Sequence, residues 1–540
     1  MRQKSVLAWV EWFLGIALTL VAITLHLRLL RHAGPLWRDE ISSLNLAMAA
    51  NFSEFWTRIL PDNFPAMFFV LLRGWCSLGL CGSDLHLRIV GCLLGLATIS
   101  TTWIVCRVLN GRAPIWPLAL MAVAALTFQC HDQLRPYGLS VLLVTASYGV
   151  FWQLAREHSQ NWRLLLLGAA VATLAVQTSY TNSVFIFALG LAGAVIAISR
   201  GAQRAAINII AVGTVAALSL LPYLVSFSAN HRWLVILPGA KSFAAVFSVL
   251  HDTLVLNHWS MPWIWAGVLA ISLLCLVFAF RSGAERGEKE ILSFAAVALF
   301  VAAILTLLFF RMLHWQMHPR YFFPLLCFAT LCFHILLNPL RRASVWRILM
   351  IAAAIAIAIV QIPWAYRDCE VRLTNVDTAA VALSQDATAD DFILLTGFWL
   401  GLSFDRYYHG PASWKSIPDV NDFSSYRWDE AMQAMSTPDP LYAIFQEIEK
   451  TLQSGHKVFL VGSLAVQLPP TKPDPLPPAP QSIYGWELQP YMANWQIQIG
   501  YFLEHHALHG DPISIDLNQP VYDLEKVQIF AVSGYHDRTP

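Results

Sequence analysis

The chain has 540 residues, of which 57% are hydrophobic and 13% charged. Its formal charge of +1 hides two opposite parts: residues 1–364 hold 25 Lys/Arg and 12 Asp/Glu, whereas residues 365–540 hold 10 and 22. So few charges among repeated long apolar runs exclude an ordinary soluble domain, a disordered chain, collagen and a disulfide scaffold, and cations scattered between those runs speak against nucleic-acid binding.

Apolar runs long enough to span a bilayer fall at 7–28, 88–109, 114–131, 137–155, 163–180, 183–199, 205–228, 261–280, 291–311, 321–338 and 345–364. A spanning helix needs about 17–25 residues, because lipid offers no partner for an open backbone. The pattern predicts eleven spans, with the first retained because no small-residue cleavage site follows it. A further apolar run, 65–82, carries Arg73 and is broken by Gly79 and Gly82. Charge decides its place. If 65–82 lies on the outer surface, the inner segments collect 14 cations, and the short outer loops at 132–136, 181–182 and 312–320 carry only Arg135 and Arg320. Counting it as a span inverts every later loop, against the positive-inside rule. The expected topology has the N-terminus in the cytoplasm and a long first outer loop, 29–87, with helices lying in the interface. A second outer loop runs over 229–260, and the C-terminal domain, 365–540, is extracytoplasmic.

Within that last domain, 376–385 reads as a helix, 392–396 and 457–462 as short buried strands, and 441–454 as a helix between them. Residues 490–507 read as a further helix and 525–532 as a last strand. The alternation suggests a small α/β domain. The segment 469–480 holds seven prolines and is expected to be an extended loop. Eight of the nine cysteines lie at or before Cys332, mostly inside apolar runs, and are expected to be packing residues. No phosphate-binding Gly-rich loop, nucleophile elbow or zinc spacing is present.

Carboxylates are scarce in the first 364 residues, which narrows the search for chemistry. Asp39 and Glu40 follow the first span closely, in LWRDEISSLNLAMA, and an ionisable pair near the membrane is costly unless it is functional or paired. Capping of a short helix, or a salt bridge to Arg38, is the alternative reading. Three arginines stand at expected outer helix ends: Arg88, Arg135 in HDQLRPYG, and Arg320 in HPRYFFP. Guanidinium groups match phosphate oxygens bidentately, so the three suit a lipid phosphate. Interfacial anchoring beside Tyr137 and Tyr321 is the alternative. His131, His314 and His318 lie nearby and read as polar contacts rather than metal ligands.

The order of these segments resembles the GT-C superfamily of polyprenyl-phosphate-sugar-dependent membrane glycosyltransferases, nearest to the protein O-mannosyltransferase and lipid A aminoarabinose-transferase type. The matching pieces are RDE (38–40), DNFPAMFFVLLRGW (62–75), LRIVGCLLGLATI (87–99), HDQLRPYGLSVLL (131–143) and PRYFFPLL (319–326). The resemblance implies a polytopic α-helical membrane protein of about eleven transmembrane helices over 1–364, with an extracytoplasmic α/β domain behind it. It implies transfer of a sugar from a polyprenyl-phosphate donor in the bilayer to an extracytoplasmic acceptor, with Asp39 as general base beside Glu40. Arg135, Arg320 and Arg88 would hold the donor phosphate, and Asp62, Asn63, Tyr137, Tyr321 and His318 would line the substrate pocket. It fixes no cofactor and leaves a divalent metal open. This chain has Phe64-Pro65-Ala66 where the family's first loop usually carries His-Pro-Pro, and Gln133 where an acid often stands. The competing expectations are a lipid-linked saccharide flippase and a saccharide-binding relative without catalysis.

Overall fold

The computed structural model describes residues 2–60, 62–157, 161–225, 242–313, 317–463, 469, 471–479, 487–515 and 517–536. Much of the expected 229–260 loop, and His314, lie outside them. The chain divides into two compact units: 1–32, 59–227 and 239–370 belong to the first, and 33–58 and 371–540 to the second. The division is not a single cut near 364, because the stretch just after the first span belongs to the second unit.

The first unit is helical. Among the described residues nine helices are long and apolar enough to cross a membrane: Val6–His32, Asp84–Asn110, Tyr137–Arg156, Asn182–Ser199, Gln203–Tyr223, Met261–Arg281, Arg286–Met312, Pro319–Arg342 and Ser344–Asp368. Exposed side chains on them, such as Phe13, Phe278 and Ile359, form the surface that hydrocarbon would cover. The chain is therefore an integral membrane protein. The other two expected spans are shorter. Trp162–Val176 has 15 residues, and 114–131 is broken into Ile115–Pro117, a π-helical turn Leu118–Ala122, and Ala125–His131. Pro114 caps the first piece, where a missing N–H costs nothing, and the chain leaves the helical ladder at Val123 and at the extended Ala124. Side chains recover the loosened backbone groups: Gln361 Nε2 donates to the Ala119 carbonyl (2.7 Å), and Asn257 Oδ1 accepts from the Leu126 N–H (2.9 Å). Within 65–82 the helix is Met67–Ser77, only 11 residues, or about 16 Å, against a hydrocarbon thickness of about 30 Å.

Ion pairs tie the helix ends together. Glu11 receives a bidentate bond from Arg347 (2.8 and 2.9 Å) and has Arg341 at 3.8 Å. Glu290 pairs with Arg200 and Arg286, each at 3.2 Å, and Glu288 with Arg342. These are residues that the charge count puts in or beside inner loops. Residues it puts at outer helix ends also meet one another: Gln129 donates to Asp368 (2.7 Å), and Arg28 pairs with Glu370.

The cysteine expectation needs a correction. Cys76 and Cys81 form a disulfide, with Cα atoms 4.9 Å apart across a turn in which Gly79 takes φ +78°. That left-handed residue is what folds the chain back on itself after the helix.

The second unit has a five-stranded sheet: β1 Phe392–Leu395, β2 Ser413–Ser416, β3 Val458–Gly462, β4 Ala507–Ile513 and β5 Gln528–Tyr535, in the order β2-β1-β3-β5-β4. β1 runs parallel to both β2 and β3, with Phe392 opposite Val458, and β5 runs antiparallel to β3 and β4. Strands β1 and β3 are buried on both faces, which is why they read as continuous apolar runs. On one face Phe392, Leu394 and Leu460 pack against the helices Trp428–Met435, Tyr442–Gln453 and Leu488–His506. On the other, Ile393, Leu395 and Val461 pack against Val376–Asp386 and Gly401–Tyr407.

Candidate functional site

The sequence-predicted site residues fall in both units: Asp39 and Glu40 in the second, the arginines and the remaining pocket residues in the first.

In the second unit, Asp39 and Glu40 sit in the first turn of the helix Arg38–Ala47, where the N-terminal backbone dipoles favour negative charge. Glu40 is fully buried, and its carboxylate accepts the Trp37 N–H (3.2 Å), the capping role that the sequence left open. Asp39 is also buried, but its carboxylate turns elsewhere: Oδ1 accepts a 2.5 Å hydrogen bond from the Tyr426 hydroxyl. Burial, and then the Asp39 charge, push the Tyr426 phenol well above its usual range. The Arg38 N–H donates to Glu525 Oε2 (3.2 Å), and the Ser403 hydroxyl to Glu525 Oε1 (2.8 Å). Burial pushes Glu525 up to about 7, against the pull of Arg38 and these two bonds. The Tyr407 hydroxyl holds the Leu36 carbonyl (3.1 Å), and Asn45 holds that of Phe423 (3.4 Å). The short helix is thus pinned at both ends within its own unit, presenting one carboxylate to a phenol.

In the first unit, the segment 131–137 is the organising loop. The Arg135 guanidinium lies 5.1 Å from the Phe64 ring centre, and Phe64 meets Tyr137 edge-on at 5.4 Å. Phe64 thus gives the Arg135 guanidinium an aromatic platform. Asp62 Oδ1 accepts the Phe64 N–H (3.0 Å), so it shapes the turn, while Asn63 is exposed. Arg88 is buried one turn ahead of Gly91. A Cβ on Gly91 would stand 2.2 Å from the Asp132 carbonyl, and one on Gly95 would stand 2.4 Å from the His26 ring. Gly91 lets the helix Asp84–Asn110 press against the loop, and Gly95 lets it press against the first helix at His26. His26 Nδ1 holds both carboxylate oxygens of Asp132 at 2.8 Å. His131 meets Phe323 edge-on at 5.8 Å, which ties the loop to the helix that follows Arg320 and Tyr321. The Arg320 guanidinium lies 5.9 Å from the Tyr321 ring, and His318 meets that ring edge-on at 5.5 Å.

Phe64, Arg135 and Tyr137 form one cluster, and the segments of Arg88 and Arg320 join it through Asp132 and His131. Sequence reasoning missed His26, Tyr426 and Glu525. His26 had a signal, a histidine inside an apolar span; Tyr426 and Glu525 had none. Among the described residues no group of three or more His, Cys, Asp or Glu side chains is placed to hold a metal ion.

No protein-family model matches the chain, and no curated protein does. Among solved structures, the chain is similar to the oligosaccharyltransferase of Archaeoglobus fulgidus in its apo form, at 10% identity over 85% of this chain and 70% of that one, with a TM-score of 0.49. A second structure of the archaeal oligosaccharyltransferase AglB, in complex with an inhibitory peptide and a dolichol-phosphate, matches at 12% identity over 92% and 73%, with a TM-score of 0.49. ArnT from Cupriavidus metallidurans, bound to undecaprenyl phosphate, matches at 16% identity over 83% and 92%, with a TM-score of 0.46.

Proposed function

We propose that the protein is a membrane glycosyltransferase that moves a sugar from a polyprenyl-phosphate donor to an acceptor on the outer face of the membrane. The observation that carries the reading is the treatment of the two adjacent acids. Glu40 is spent on capping, whereas Asp39 is buried, preceded by a pinned helix start, and engaged by the Tyr426 hydroxyl. A carboxylate so desolvated and oriented is suited to take a proton. The motif order of the first 364 residues supports the donor assignment, as do the buried Arg88 and Arg135. The surplus of cations in the expected inner loops supports the outer placement. So does the Cys76–Cys81 disulfide in the first outer loop, since disulfides persist in oxidising compartments.

In the reaction, the acceptor hydroxyl or amine gives its proton to Asp39 and attacks the anomeric carbon from the side opposite the phosphate. The bond between that carbon and the phosphate oxygen breaks, its electron pair leaves with the polyprenyl phosphate, and the anomeric configuration inverts. Arg135, assisted by Arg320 and Arg88, stabilises the charge that grows on the leaving phosphate; such preorganised electrostatics are often the largest catalytic contribution. The Phe64 ring, met edge-on by Tyr137, packs against the Arg135 guanidinium and supports that role. A lipid donor explains the architecture, because its tail stays in hydrocarbon while its headgroup reaches the helix ends.

The test is reconstitution in proteoliposomes with a polyprenyl-phosphate hexose. The expected result is release of polyprenyl phosphate in step with sugar transfer, and an Arg135→Ala protein should need about tenfold or more donor, the loss of one hydrogen bond to a charged group. Movement of the intact donor across the bilayer without release would make the protein a flippase instead.

A further inference from the structure

The sheet of the second unit carries a feature that the transfer reaction does not use. The chain leaves the carboxyl end of β1 toward the helix Gly401–Tyr407 on one face, and after β3 it reaches the helix Leu488–His506 on the other. Neighbouring parallel strands whose connections part in this way open a crevice at their carboxyl ends, the usual ligand position in open α/β sheets. A cavity of about 320 Å³ reaches these strand ends at Thr396 and Ser463 and runs under the helix Leu488–His506 across β5 and β4. Its polar lining is Thr396 at the end of β1, Ser463 after β3, Gln496 and Glu504 on the covering helix, and His509 on β4; Phe530 of β5 supplies an aromatic wall. The site is braced. Gln496 Nε2 donates to the Thr396 carbonyl (2.6 Å), and Gly462 takes φ +142° where a Cβ would stand 1.9 Å from Thr396 Oγ1. Gly510 lets the Phe530 ring lie against β4, since a Cβ there would stand 2.8 Å from Cε1.

The lining selects the ligand's chemistry. Among the described residues no lysine or arginine lines the cavity, and residues 365–540 hold 22 acids against 10 cations, which disfavours an anion. The volume sits at the low end of the ~300–1,000 Å³ of small-molecule sites. An apolar floor with an aromatic ring, rimmed by a carboxylate, an amide, an imidazole and two hydroxyls, matches a neutral ring with one face of C–H groups and an edge of hydroxyls. We propose that this crevice binds a saccharide and so holds the glycan part of the acceptor. The choice of a glycan rests on the transferase reading above; the crevice itself does not.

Saturation-transfer NMR on the full-length protein in lipid nanodiscs tests this, with maltose and N,N′-diacetylchitobiose as neutral probes and glucose 6-phosphate as an anionic one. At least one neutral disaccharide should give a signal and the phosphate none. Glu504→Ala and Leu508→Trp, both at exposed positions lining the crevice, should each weaken the neutral sugar about tenfold, the first by removing hydrogen bonds to a charged group and the second by filling space. Silence from both neutral sugars, preference for the phosphate, or a signal that survives both substitutions overturns the proposal. An Asp39→Asn protein should bind the sugars as the wild type does. Sugar binding without any transfer by the wild type would therefore refute the transferase reading alone, and transfer without binding would refute the crevice alone.

Discussion

Replacing Glu525 by Gln should stabilise the second unit at neutral and alkaline pH and leave it unchanged in acid. Glu525 is fully buried between the start of the helix Arg38–Ala47 and Ser403, and burial raises its carboxyl from 4.5 to about 7. A carboxyl raised by folding binds its proton more tightly in the native state. Its contribution is therefore fully present below the unfolded value and is lost as pH rises through the folded one, here between about pH 4.5 and 7. A difference of about 2.5 between the two values corresponds to about 3 kcal/mol carried by the native state once the group is ionised. Glutamine has the shape of the protonated acid. Its oxygen can accept the Arg38 N–H while its amide donates to Ser403 Oγ, so both bonds survive without a buried charge. Hydrogen exchange of amides in β5 and in the helix Arg38–Ala47, corrected for intrinsic rates, would report the difference between variant and wild type. It should be near zero at about pH 4.5 and approach 3 kcal/mol above about pH 7. A difference independent of pH, or a variant less stable at pH 8, would show that Glu525 is an ionised partner of Arg38 and would refute the reasoning.

Two further outcomes follow from the site and the ion pairs. Tyr426→Phe removes the hydrogen bond to Asp39; it should lower kcat about tenfold with the donor KM unchanged, and a change in KM alone would move Tyr426 to substrate binding. Glu11→Leu leaves Arg347 and Arg341 buried without their acid, so the first unit should lose about 3–5 kcal/mol, read as a lower unfolding temperature in detergent, and an unchanged temperature would mean that the two guanidinium groups find other acceptors.

The membrane architecture was legible in the sequence because lipid enforces long uninterrupted helices. At 114–131 the hydropathy of a span persists while the helix runs in three pieces, and open carbonyls there are satisfied by Gln361, a residue far away in sequence. In the second unit the buried strands β1 and β3 stood out as apolar runs. Strand β2, SWKS, and strand β4, ALHGDPI, did not, since edge strands need no apolar alternation and tolerate the Gly510 and Pro512 that argue against a strand. Asp39 and Glu40 drew notice as a pair. The separation of their roles depends on Trp37 and Tyr426, and Tyr426 lies 387 positions further along the chain. The sequence alone gives no sign that Phe64 packs against Arg135, 71 positions further along the chain.

The central claim is that the Asp39 carboxylate accepts the acceptor's proton as the sugar moves. A single-turnover assay of sugar transfer from a polyprenyl-phosphate donor, comparing wild type with Asp39→Asn in the same proteoliposomes, tests it most directly. Asparagine preserves the size of the side chain and the oxygen that faces Tyr426, so donor binding should persist while the transfer rate falls by about 10²–10⁴-fold, the usual worth of general-base help. Transfer by the asparagine variant at the wild-type rate would contradict the account.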